Sequence, residues 1–111
     1  MNQNNFVQEY NKIAKQCFDQ SCKSGFWDDA RNGGEAIALI HSELSEALEG
    51  LRHGNPPSEH IPEFSAVEEE LADCVIRLMD WAYGCDWKIP EAILAKMEFN
   101  KNRERKHGKQ F

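Results

Sequence analysis

The sequence predicts an all-α protein, a four-helix bundle with antiparallel neighbours that is completed by oligomerisation. Three observations carry that prediction. Apolar residues recur at helical spacing in four stretches, with no recognisable strand alternation. Glycine, proline and a capping signature punctuate those stretches, and the connections between them are short, which favours antiparallel neighbours. The chain has 111 residues and is 41% hydrophobic, enough for one domain with a core but with little to spare, so association would help it. A single domain over residues 1–111 is the expectation.

The first helix is expected over about residues 5–23, where Phe6, Tyr10, Ile13, Ala14, Cys17 and Phe18 form an apolar stripe. Gly25 and the Gly33-Gly34 pair bracket a linker that contains Phe26 and Trp27. The second helix spans about residues 35–53, with Ile37, Ile40, Leu44, Leu48 and Leu51 as its stripe, and stops at Gly54-Asn55-Pro56-Pro57. Ser65 followed by Glu68 is a capping box and opens the third helix, which runs to about Tyr83 before Gly84. Pro90, favoured in a first turn, opens a fourth helix expected to reach about His107.

Charge and cysteine usage narrow the function classes. The net charge of −6 argues against general affinity for nucleic acid, but residues 96–111 carry +4, leaving −10 on residues 1–95. An acidic body with a basic end suits a site that binds metal and polyphosphate together. Cys17, Cys22, Cys74 and Cys85 contain no CxxC pair and read as reduced structural thiols. Residues 1–12 are polar, without the apolar run of a signal peptide, and no stretch of about 18 apolar residues occurs, so no membrane association and a cytoplasmic location are expected.

Two acidic signatures carry the chemistry. Glu43 and Glu46 stand at i,i+3 in the second helix, and Glu70 and Asp73 do the same in the third. At about 100° per residue, each pair lies roughly 90° and 150° from its own helix's apolar stripe, in the same rotational sense. Four carboxylates converging there would repel. At roughly 6 Å and an effective dielectric of about 20, each pair costs on the order of 3 kcal/mol. Oxygen ligands of this kind favour a hard cation, Mg²⁺ or Mn²⁺. Glu35, Glu49, Glu68, Glu69 and Asp80 are read as ordinary surface acids. In the fourth helix Lys96, Asn100, Arg103 and His107 fall at i, i+4, i+7 and i+11, a stripe able to contact phosphate oxygens.

These residues together resemble the MazG-like branch of the all-α NTP pyrophosphohydrolase superfamily. The family pattern of ExxE, a spacer and ExxD is matched by Glu43, Glu46, Glu70 and Asp73, and Lys96, Asn100, Arg103 and His107-Gly108-Lys109 resemble its K…N..R…HGK element. The resemblance spans about residues 26–109. It implies Mg²⁺-dependent hydrolysis of a nucleoside triphosphate at the α–β bond, with Mn²⁺ a possible substitute. Glu43, Glu46, Glu70 and Asp73 would hold metal, and Glu43 or Glu46 would also activate water. Lys96, Asn100 and Arg103 would contact phosphate or sugar, and Trp27 would lie against the base. Some relatives carry a tyrosine where this chain has Arg77, which places Arg77 near the carboxylates as an ion-pair partner or a phosphate contact. A homodimer or homotetramer is implied as well. A phosphoribosyl-ATP pyrophosphohydrolase or dUTPase-like specialist would use the same helices, and a non-enzymatic helical interaction module is the reading from another class. A di-iron carboxylate bundle needs Glu-x-x-His, which neither signature supplies.

Overall fold

Three of the helix starts are written into the chain as side-chain caps, and the fourth as a first-turn proline. Asn2 Oδ1 accepts from the Asn5 amide, Asn32 Oδ1 accepts from the Glu35 amide, and Ser65 and Glu68 cap each other's backbone reciprocally. The computed structural model, which describes residues 2–103, accordingly contains α1 (Gln3–Lys23), α2 (Gly33–Arg52), α3 (Ala66–Gly84) and α4 (Ile89–Asn100), with no strand among the described residues. The first-turn Pro90 of α4 is fully buried. α3 packs against both α1 and α2, and α4 rests mainly on α1.

Between α2 and α3 the chain turns through Gly54 and Asn55, both at positive φ. The rest of this connection is tied back onto α3. Asn55 Oδ1 accepts from the Val67 amide, and the buried Ser58 hydroxyl accepts from the His60 and Ile61 amides while donating to Glu69. Glu69 is therefore engaged in holding this loop and is not an idle surface acid.

Two expectations change. The stripe of α2 is not what packs inside the chain: Ile37, Leu44, Leu48 and Leu51 remain exposed, and so do Leu71 and Val75 of α3. The inward face of α2 lies about 100° around the helix and is made of small residues. Ala36 and Ala47 are buried, and a Cβ on Gly50 would meet Val67 and Ala66 at 3.3–3.4 Å. Small side chains let two backbones approach closely, while the larger apolar face is left for some other surface. Periodicity reports that a face is apolar, not which surface covers it.

The second change concerns α4, which ends at Asn100 instead of reaching His107. Residues 101–103 form a turn closed by Asn102 N–H to Phe99 O and Arg103 N–H to Asn100 O. The sequence beyond Asn100 has no apolar residue for several positions, so a longer helix would have nothing to pack. His107, with Gly108 and Lys109, lies outside the described residues.

Candidate functional site

The close α2–α3 approach brings acids together. Glu43, Glu70 and Asp73 each offer a carboxylate oxygen, and the three oxygens lie within 4.8 Å of one another. Glu70, Asp73, Arg77 and Asp80 follow at i, i+3, i+7 and i+10, within about 80° on one face of α3, so the helix turns this whole row inward. Glu46 is not part of the trio. It lies one turn beyond Glu43 with its side chain exposed, at the edge of the α2–α3 contact rather than within it.

The electrostatics of the trio show a cluster that Arg77 compensates only in part. Loss of solvation, together with hydrogen bonding and repulsion from Glu43, pushes the Glu70 carboxyl up to about 7. Asp73 is raised for the same first reason, with Glu43 and Glu69 adding and Arg77 opposing. Arg77 Nε donates to Glu43 Oε1 at 2.8 Å, so Arg77 is the ion-pair partner of the first acid. Three carboxylate oxygens gathered this closely fit a hard divalent cation, whose charge would remove the repulsion.

Beside these acids opens a cavity of about 460 Å³. Glu43, Asp73 and Arg77 line it from α2 and α3, Gln16, Gln20 and Ser21 from α1, and Phe26 and Arg31 from the linker. Its size is that of a small-molecule site. Deeper in the wall, Asp80 is buried at 6% exposure and accepts two hydrogen bonds, from Trp27 Nε1 at 2.7 Å and Arg31 Nη1 at 2.8 Å. Asp80 is thus a structural carboxylate that ties the linker to α3, where sequence reading took it for a surface acid. The signal that finds it is its register with Glu70, Asp73 and Arg77. Arg31 was missed because a lone arginine in a linker carries no periodic information.

Trp27 is committed to packing. Its ring lies against Phe18 with centroids 5.3 Å apart, Arg31 stacks over it at 4.9 Å, and Gly84 sits so close that any Cβ there would overlap the indole. Trp27 does not line the cavity; the half-exposed Phe26 next to it does. Lys96, Asn100 and Arg103 do not line it either, because α4 rests on α1. Lys96 and Arg103 both approach the face of Phe99, and Asn100 Oδ1 is buried without a hydrogen-bond partner. The four cysteines are free thiols, and burial pushes the Cys17 thiol in the cavity wall upward, which keeps it protonated and a poor nucleophile.

Among the described residues, no helix is long and apolar enough to cross a membrane. No family model matches this chain, and no solved structure matches it. Among curated proteins, it is 36% identical over 75 residues to human dCTP pyrophosphatase 1; the match covers 64% of this chain, which spans under half, 44%, of that protein's length.

Proposed function

We propose that this chain forms a single MazG-like domain that hydrolyses a nucleoside triphosphate at the α–β bond, releasing the monophosphate and pyrophosphate. The observation that carries the proposal is the Glu43, Glu70 and Asp73 trio, two of whose members, Glu43 and Asp73, line a nucleotide-sized cavity. The distant likeness to a dCTP pyrophosphatase points to the same reaction type as the resemblance read from the acidic signatures.

Glu43, Glu70 and Asp73 would hold Mg²⁺, or Mn²⁺ in its place, with the nearby Glu46 as a fourth oxygen donor. Such an ion polarises phosphoryl oxygens and lowers the pKa of bound water. The protein's own part is mainly positioning and charge, as phosphoryl transfer demands little covalent chemistry. Glu43 or Glu46 accepts the proton of the attacking water, whose oxygen bonds to the α-phosphorus as the bond to the bridging oxygen breaks. Arg77 is steadied by Glu43 through Nε, and the rest of its guanidinium suits a phosphate oxygen. Lys96, Asn100 and Arg103 are kept as phosphate or sugar contacts and would serve a neighbouring subunit's cavity in a homodimer or homotetramer. The exposed face of Ile37, Leu44, Leu48, Leu51, Leu71 and Val75 supports such an assembly, since burying a Leu or Ile side chain stabilises by about 1.5–3 kcal/mol.

Purified protein incubated with each dNTP and NTP in MgCl₂, dCTP first, should release pyrophosphate from at least one. Absence of turnover with every nucleotide, together with absence of Mg²⁺ binding, overturns the proposal and leaves a helical interaction module. Sedimentation should give a dimer or tetramer at micromolar concentration, and a 12.8 kDa monomer alone would refute the assembly.

A further inference from the structure

The ion pair that ties the linker to α3 leaves one side of an arginine unused. Arg31 Nη1 donates to Asp80 Oδ2 at 2.8 Å, and the guanidinium lies over the Trp27 ring at 4.9 Å, so its position and its plane are both held. Nε and Nη2 make the side edge of a guanidinium. Among the described residues neither of these atoms of Arg31 has a partner, and neither belongs to the partnerless atoms that are closed to solvent. A side chain only 11% exposed thus keeps two parallel donors open.

The guanidinium lies on the cavity side of the linker. Arg31 borders the cavity and also a second hollow along the linker, but Asp80, where the guanidinium ends, lines the first and not the second. Asp80 stands seven residues beyond Asp73 on the same face of α3, about 10 Å along the helix. Arg77 lies between them, bonded to Glu43 through Nε. A triphosphate held at the acid trio, with Arg77 beside it, would carry its nucleoside toward Arg31.

The chemistry of the free edge narrows the ligand. Asp80 balances the charge of Arg31, so the edge offers direction more than net charge, which suits a neutral acceptor better than a phosphate. Two parallel donors fit two neighbouring acceptors on one ring. Guanine has such a pair in O6 and N7, and cytosine in O2 and N3. Adenine and thymine present no parallel pair, because the acceptors on their hydrogen-bonding edges alternate with an amino group or a ring N–H.

We infer that Arg31 reads the nucleobase through its Nε and Nη2 edge, so that the cavity selects guanine or cytosine nucleotides over those of adenine and thymine. The inference rests on the nucleotide-hydrolase reading above and adds a specificity-determining residue to it.

The test is steady-state kinetics on the four dNTPs with the unaltered protein and Arg31→Lys, alongside Mg²⁺ affinity. Lysine keeps a charge opposite Asp80 but has no fork. In the unaltered protein the better of dGTP and dCTP should exceed both dATP and dTTP in kcat/KM by on the order of tenfold, the worth of one bidentate pair. Arg31→Lys should lose that advantage mainly through KM, with dATP, dTTP and Mg²⁺ affinity nearly unchanged. If dATP or dTTP is as good a substrate as dGTP and dCTP, the inference is overturned, and this comparison needs no variant to fold. An equal loss on all four dNTPs in Arg31→Lys, the mark of a phosphate contact or of a structural role alone, also overturns it, as does a retained preference; the hydrolase reading survives each of these. An unaltered protein inactive on every nucleotide overturns both.

Discussion

Replacing Glu70 by Gln should stabilise the metal-free protein at alkaline pH while removing its response to Mg²⁺. Glu70 lies within 4.8 Å of carboxylate oxygens from Glu43 and Asp73. Two unit charges at that separation cost about 3.5 kcal/mol at an effective dielectric of about 20. The rise of Glu70 from 4.5 to about 7, caused first by desolvation and then by the hydrogen bond to and repulsion from Glu43, corresponds to about 3.4 kcal/mol in all. Glu70 is partly exposed, so solvent screening brings the expected effect down to about 1.5–2 kcal/mol. The folded carboxyl binds its proton more tightly than the unfolded one. The stability it contributes is therefore fully present below pH 4.5 and is lost as pH rises through about 7. Asp73, also raised, adds in the same direction. His60, raised by its bond to Glu69, has that sign too, but it is retained in the variant and cancels in the comparison. In EDTA the unaltered protein should melt lower at pH 8 than at pH 5.5. Glu70→Gln should flatten that slope and melt higher at pH 8, at roughly 4–8 °C for each kcal/mol. Adding MgCl₂ at pH 8 should raise the melting temperature of the unaltered protein and leave the variant nearly unmoved. A variant that melts at or below the unaltered protein at pH 8 in EDTA, or that keeps the full slope, would refute the cluster electrostatics.

Turnover and folding separate at the other acids. Glu46→Gln or Asp73→Asn should abolish nucleotide hydrolysis with helicity by circular dichroism unchanged, and a wild-type rate in either would show that the metal site is wrongly assigned. Asp80→Ala should destabilise by about 3–5 kcal/mol in urea unfolding because it strands Arg31, whose side chain is only 11% exposed, without its partner; a loss below about 1 kcal/mol would mean that the pair is not buried in solution.

The legible part of the site is the part that repeats along a helix. Glu43 and Glu70 with Asp73 are found from i,i+3 spacing, because that spacing alone puts side chains on one flank of a helix. Arg77 enters through the resemblance, at the position where some relatives carry a tyrosine, and its bond to Glu43 matches one of its two anticipated roles. Glu46 shares the spacing but not the convergence, since a flank spans the edge between buried and exposed surface. The surroundings of Asp80 and Trp27 are decided by tertiary contacts. Asp80 looked like a surface charge and is buried between two donors, while Trp27 looked available for a base and is held by Asp80, Phe18 and Gly84. Both facts belong to a linker folded onto α3, some 50 residues away in sequence.

By itself the sequence determined four helices, the capping box of α3 and the acid pairs of α2 and α3, because these depend on interactions within one or two turns. Tertiary structure alone decided which face of α2 turns inward. There Ala36, Ala47 and Gly50 permit a backbone approach that the larger Ile37, Leu44, Leu48 and Leu51 would hold apart. That choice of the small face over the oily one brings Glu43 to Glu70 and Asp73, and leaves the leucines at the surface.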